Sequence, residues 1–137
     1  MITVRLYRTE DYPLVRSWWA ARNLPPVHAD LLPPLGAMAE QDGRPLAVVW
    51  AYRDRDTPVA MLGWAVTAPD NAPRVSAAAL DRTVDALLRI LQNDGFRMIF
   101  AMYGVPALAR LLAKHGFVSG DPDARQQVKI SGGLAHG

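Results

Sequence analysis

The polarity pattern at the start of the chain predicts a strand followed by a helix. Residues 3–8 alternate between apolar and polar side chains, as a half-buried strand does. Thr9 can cap the helix that follows, and Asn23 with the prolines after it suits its end. Trp18 and Trp19 lie about 100° apart on such a helix. We expect one in the core and the other at the rim of a pocket or interface, unless the proline-rich residues 24–35 cover both.

Three apolar segments then predict an antiparallel meander. The first two flank Asp42-Gly43, a dipeptide that favours the positive φ angles of a tight hairpin. A second polar turn separates the second segment from the third. The predicted strands are residues 36–41, 45–52 and 59–67.

The second half predicts a helix, a buried strand and another helix. Leucines and a valine form one stripe along residues 77–93, and Ser76 is placed to cap that helix. The largely apolar residues 97–102 indicate a central strand covered on both faces. Pro106 suits the first turn of a helix that Gly116 ends. We also expect a final strand pair at residues 117–120 and 125–130.

The element order predicts a single-domain α/β fold with a mixed central sheet flanked by helices. A chain of 137 residues is the usual size of one domain. The helix at 77–93 joins two strands that would lie parallel, which leaves a ligand site at their carboxyl ends. We place the domain at residues 1–130 and expect a flexible tail at residues 131–137.

Composition excludes several classes of function. Fifteen Lys and Arg residues against 13 acidic residues give a net charge of +2, too even to indicate a nucleic acid partner. The absence of cysteine excludes disulfides and thiolate chemistry, and the three histidines are too scattered for a metal site. No apolar run approaches the ~18 residues that span a bilayer. We expect a cytoplasmic protein without a metal or a membrane partner.

Two segments of the second half resemble the GNAT acetyltransferase superfamily. Arg74-Val75-Ser76-Ala77-Ala78-Ala79 is similar to the R-x-x-G-x-G or R-x-x-G-x-A loop of that family. The run that ends in Lys114-His115-Gly116-Phe117 is similar to its A-x-x-L-Y-x-x-x-G-F helix. A narrower resemblance is to short proteins of tailed bacteriophages and prophages. It rests on Trp18-Trp19, Pro25-Pro26, Leu32-Pro33-Pro34-Leu35-Gly36 and His115-Gly116-Phe117.

The resemblance implies acetyl-CoA as the cofactor. Its pyrophosphate would lie against a helix N-terminus, where backbone N–H groups and the helix dipole favour an anion. Arg74 would add a charge pair. The glycine of the family loop is Ala77 in this chain, which adds a methyl group where the backbone approaches the phosphate. The implied cofactor-binding residues are Arg74, Val75, Ser76, Ala77, Ala78 and Ala79.

The catalytic groups that the resemblance implies are mostly replaced. The family donor to the thioester carbonyl would fall near residues 64–66, but residues 59–67 carry no Glu, Asp or His to act as the base. Glu40 is the remaining candidate base, with His28 and Asp30 as alternatives. Leu112 occupies the place of the family tyrosine, and Val105 that of an asparagine. Tyr103 is the candidate acid for the leaving thiolate.

Three functions therefore remain from the sequence. One is a GNAT-fold protein with reduced or lost catalysis, and the phage resemblance would make it a virion or virion-assembly component. Its partners would be phage structural proteins or further copies of itself. Another is an active N-acetyltransferase on a small-molecule or protein amine. A module that binds CoA without turnover is a third reading.

Overall fold

The sheet of this protein follows the order of its strands along the chain. A computed structural model describes residues 1–131. Within them, no helix has the length and apolar character needed to cross a membrane. The strands are β1 (Ile2–Leu6), β2 (Gly36–Gln41), β3 (Arg44–Arg53), β4 (Val59–Thr67) and β5 (Met98–Ala101), and the helices are α1 (Tyr12–Ala21), α2 (Pro73–Asn93) and α3 (Ala107–Lys114).

Strands β1 to β4 are antiparallel, and β5 lies parallel to β4. Asp42 and Gly43 form the predicted hairpin turn with φ angles of 52° and 78°. Helix α2 makes the crossover from β4 to β5, as its place between the two strands predicted. The α/β class and the mixed sheet flanked by helices are thereby confirmed.

Each face of the sheet is covered by different helices. Helix α1 packs on one face, where Trp18 and Trp19 are both only 4% exposed and contact a cluster that includes Trp50. Val27 and Leu32 of the proline-rich segment pack against the same cluster. The expectation that one tryptophan lines a pocket or interface is therefore wrong, and the alternative of two covered rings is confirmed. Helices α2 and α3 cover the other face.

Helix α2 begins at Pro73, four residues before the predicted start. Ala72 is its N-cap, and Pro73 has the fixed φ and missing N–H that suit a first helical residue. The hydroxyl of Ser76 does not cap the helix, since it accepts a hydrogen bond from the Asn71 side chain at 3.2 Å. Residues 74–76 are consequently the first turn of the helix and not a loop before it.

Strand β5 is an edge strand among the described residues, which contradicts the predicted central position. It pairs only with β4, and Met98 and Phe100 are each 56% exposed. The predicted strands at residues 117–120 and 125–130 are absent, and Val118, Val128 and Ile130 are exposed. No strand forms there because these three apolar side chains find no buried surface to pack against. Apart from Ser131, the predicted tail lies outside the described residues.

Gly36→Ala is expected to lower the free energy of unfolding by about 1–3 kcal/mol. A β-carbon at this position would lie 2.8 Å from Cδ1 of Trp50 and 2.8 Å from Cβ of Tyr7. Both neighbours belong to the packed core under α1, so neither can move aside freely. Urea denaturation measures the change. Gly104→Ala is the control because its β-carbon would meet open space, and an equal loss in both variants would contradict the steric explanation.

Candidate functional site

Strands β4 and β5 separate halfway along β4. Their pairing runs from Val59 with Met98 to Leu62 with Ala101, and the Met102 N–H then donates to the Leu62 carbonyl at 3.1 Å. Strand β4 continues to Thr67. Beyond Leu62, the edge of β4 that faces β5 has no strand partner within residues 1–131. The two strands thus leave an opening that exposes backbone groups of β4.

A β-bulge lies where this opening begins. Val66 pairs with Val48 and Gly63 with Trp50, so two residues of β4, Trp64 and Ala65, face the single residue between them on β3. Trp64 has a φ of 60°, a conformation that glycine normally takes in a bulge of this type. The family resemblance implied that an N–H of residues 64–66 donates a hydrogen bond to the thioester carbonyl. These residues are therefore the irregular part of β4.

The segment predicted to hold the pyrophosphate follows β4 in the sequence, after a short loop. Val75 and Ser76 both donate their N–H groups to the Ala72 carbonyl, at 2.9 and 3.1 Å. Pro73 has no N–H, so the Arg74 N–H is the donor of the first turn that takes no part in these bonds. The Arg74 side chain is exposed in the same turn.

The six predicted cofactor residues divide into three groups along α2. Arg74, Val75 and Ser76 form the first turn, and Ala77 and Ala78 are exposed in the second. Ala79 is fully buried and packs in a cluster with residues of β2 and β3. The N–H groups of the alanines lie within the helix, where such groups bond to carbonyls four residues earlier. The cofactor assignment remains a prediction, and the geometry favours Arg74 as its main contributor.

The two candidate catalytic residues are not brought together. Tyr103 follows β5 and is half-exposed at the carboxyl end of that strand, on the side where the opening lies. Glu40 lies in β2, which β3 separates from β4, and its Oε2 is 3.1 Å from Nε of Arg5. Both roles remain predictions. Tyr103 lies near the opening, whereas Glu40 forms an ion pair with Arg5 at another part of the sheet.

The other candidates also have local explanations. The Nδ1 atom of His28 accepts a hydrogen bond from the Asp30 N–H at 3.2 Å, within a single 3₁₀ turn. Leu112 is buried in the core between α3 and the sheet. A hydrophobic contact therefore occupies the place that the resemblance gives to a hydroxyl. Among the described residues, no cluster of three or more side chains suits a metal ion.

Uncharged side chains lie on the α1 side of the paired part of β4 and β5, before the opening begins. Met61 pairs with Phe100 across β4 and β5, so these side chains share a face. The face also carries Met98, two residues before Phe100 on β5. Residues 59–67 and 98–101 contain no ionisable group. Any proton transfer at this site must therefore involve residues of other elements or water.

One residue of this region had no signal in the sequence. The Tyr52 hydroxyl accepts a hydrogen bond from Nε1 of Trp64 at 2.8 Å and donates to the Leu31 carbonyl. Tyr52 lies near the end of β3, in a segment that its apolar pattern identifies only as a strand. Its two partners depend on the register of β3 against β4 and on the path of residues 24–35.

The mixed sheet with its crossover helix is the fold of the GNAT N-acetyltransferases. The ribosomal-protein-S18-alanine N-acetyltransferase from Escherichia coli has a TM-score of 0.69 and 18% identity, covering 88% of this chain and 80% of that one. An N-acetyltransferase from Staphylococcus aureus Mu50 has a TM-score of 0.65 and 14% identity, covering 85% and 83%.

A third similar structure was solved with ligands. N-acetylglutamate synthase from Neisseria gonorrhoeae, complexed with coenzyme A and N-acetyl-glutamate, has a TM-score of 0.65 and 11% identity. The alignment covers 90% of this chain but 30% of that one. No protein-family model and no curated protein matches the sequence. The structural likeness therefore defines the fold of this protein.

Proposed function

We propose that the protein binds acetyl-CoA in the opening between β4 and β5 and is an N-acetyltransferase of reduced catalytic power. The observation that carries the proposal is the coincidence of the β4 bulge with the end of the β4–β5 pairing. That coincidence leaves backbone N–H groups of residues 64–66 outside the β4–β5 ladder. A donor of this kind stabilises the negative charge that develops on a carbonyl oxygen during acyl transfer.

The rest of the opening fits such a cofactor in part. Arg74 and its own N–H would hold the pyrophosphate, since both lie in the first turn of α2, where a helix favours anions. The apolar side chains of Met61 and Phe100 would contact the uncharged part of the cofactor or the acceptor. When bound, the cofactor supplies a thioester whose acetyl group an amine can attack.

Reduced catalysis follows from the side chains that this chain lacks. Strand β4 has no carboxylate or imidazole to remove a proton from the attacking amine. A positioned base or acid usually contributes about 10²–10⁴ in rate. Water, or Glu40 at a distance, would accept the proton of the attacking amine, and Tyr103 would donate a proton to the leaving thiolate. The acceptor would enter between residues 24–35 and β4.

Acetyl-CoA is expected to stabilise the protein by about 2.7 kcal/mol when present at 100 times its dissociation constant. A thermal shift titration measures this effect. Arg74→Ala should reduce the shift by weakening cofactor binding. Arg89→Ala is the control because Arg89 lies on the same helix but near its far end, paired with Asp85. The absence of any shift at millimolar acetyl-CoA would contradict both enzyme and CoA-binding proposals.

A structural role is the second candidate function. Leu112 in the core, and the outer edge of β5, which has no strand partner within residues 1–131, favour a fold that has kept its shape without its chemistry. The partner would be a second copy or another protein, and the phage resemblance suggests a virion or virion-assembly component. Purification of phage particles tests this candidate function. If it holds, we expect the protein in the particles at a defined stoichiometry. Recovery only as a free monomer would count against it.

A further inference from the structure

Trp64 takes a backbone conformation that its own side chain disfavours. A φ of 60° is rare for a bulky residue, because the β-carbon crowds the backbone, and such a conformation persists only where surrounding contacts hold it. The Trp64 side chain is 41% exposed. Burial alone therefore does not hold the ring in place.

A hydrogen-bonded chain connects Trp64 to the segment on the acceptor side. The Trp64 indole donates to the Tyr52 hydroxyl at 2.8 Å, and that hydroxyl donates to the Leu31 carbonyl. Leu31 ends the 3₁₀ turn Ala29–Leu31. The chain of bonds therefore joins β4 and β3 to the proline-rich residues 24–35, and Tyr52 is the only group in it that contacts both ends.

We propose that Tyr52 is a positioning residue that holds the β4 bulge in its donor conformation and couples it to residues 24–35. The inference rests on the proposed function, because the bulge matters for catalysis only if residues 64–66 bind the thioester carbonyl. The Tyr52 hydroxyl bonds to both the Trp64 indole and the Leu31 carbonyl. A displacement of that carbonyl therefore alters the bond that holds the indole. Binding of an acceptor against residues 24–35 thereby changes the carbonyl-polarising site.

The first test uses the ligand-free protein. Tyr52→Phe removes the hydroxyl and keeps the ring. In ¹⁵N–¹H NMR spectra we expect the Trp64 indole N–H to exchange with solvent roughly 2- to 10-fold faster, as loss of one hydrogen bond implies. The amide resonances of residues 63–66 should shift as well. Unchanged bulge amides in Tyr52→Phe would overturn the proposal whether or not the protein binds a cofactor.

The control removes a similar bond from the same segment. The Tyr12 hydroxyl donates to the Val27 carbonyl at 2.8 Å and does not contact the bulge. Tyr12→Phe should leave the amides of residues 63–66 in place. If it shifts them as much as Tyr52→Phe does, the effect belongs to residues 24–35 in general, and a specific role of Tyr52 is refuted.

The second test compares two ligands by calorimetry. Acetyl-CoA has the carbonyl that the bulge would bind, and CoA lacks it. Tyr52→Phe and Trp64→Phe should each weaken acetyl-CoA binding roughly 2- to 10-fold and leave CoA binding unchanged. Equal weakening of both ligands would indicate general damage to the site and contradict a positioning role. Failure of wild type to bind either ligand would overturn the proposed function, while the NMR result still decides whether Tyr52 holds the bulge.

Discussion

Trp50→Ala is expected to lower the free energy of unfolding by about 3–5 kcal/mol, a large part of the 5–15 kcal/mol typical of a domain. Trp50 is fully buried beneath α1. Its ring stacks on Trp19 with centroids 5.9 Å apart and meets Tyr7 edge-on at 5.0 Å. Truncation leaves a cavity between two aromatic rings and the sheet, and a well-packed core fills such a cavity only in part.

Urea denaturation followed by circular dichroism measures this loss, which should lower the midpoint without changing the slope. Trp50→Phe is the control. Nε1 of Trp50 is buried and has no hydrogen-bond partner among the described groups, so its removal breaks no bond within the protein. We expect a loss of about 1–2 kcal/mol for this smaller change. A loss in Trp50→Phe as large as in Trp50→Ala would show that packing of the ring is not the main contribution.

Arg5→Met is expected to destabilise the protein by about 2 kcal/mol at neutral pH, below the ~3–5 kcal/mol of a fully buried pair. The Arg5 guanidinium donates two hydrogen bonds to Asp11, each 2.8 Å, and lies 3.1 Å from Glu40. All three side chains are less than a quarter exposed. The variant leaves two carboxylates close together without their cation, although methionine keeps most of the apolar stem.

The pH dependence of this loss has a definite sign. The hydrogen bonds from Arg5 hold the pKa of the Asp11 carboxyl below its ordinary value, and a bond from the Arg8 N–H lowers it further. A carboxyl with a depressed pKa stabilises the fold above its unfolded pKa of about 3.9, and this contribution disappears as pH falls through the folded value. The difference between wild type and Arg5→Met should therefore be large at pH 7 and narrow below about pH 4.

Unfolding in urea at several pH values checks both statements. Arg44→Met is the matched control, since Arg44 pairs with Asp70 at 2.9 Å on an exposed surface. We expect at most about 1 kcal/mol there. A pH-independent effect of Arg5→Met would mean that lost packing, and not the charge pair, explains the destabilisation.

Much of the fold follows from local patterns. Asp42-Gly43 predicts a hairpin because two residues with positive φ are all that such a turn requires. The leucine stripe predicts α2 because its period matches the helix. The start of α2 lies earlier than the stripe and Ser76 indicate, because Pro73 begins the helix. The position of β5 at the edge was not predictable, because apolar composition does not reveal whether a strand has a second neighbour.

The candidate site was predictable only in part. The family resemblance indicated that residues 64–66 donate a hydrogen bond to the thioester carbonyl, and the bulge lies at these residues. It did not indicate that Trp64 is held by Tyr52, because those residues are separated along the chain and meet only through the register of β3 and β4. Glu40 was a candidate base because residues 59–67 contain no acidic residue or histidine. Its pairing with Arg5 arises from the alignment of β1 against β2.

The sequence by itself determined the order of strands and helices from β1 to α3, the mixed sheet and the hairpin at Asp42-Gly43. These features depend on period, turn chemistry and capping, which act over a few neighbouring residues. Only the tertiary structure decided where β4 and β5 separate, which conformation Trp64 takes and which carboxylates Arg5 binds. Each of these depends on contacts between distant segments, and those contacts exist only after the sheet has set its register.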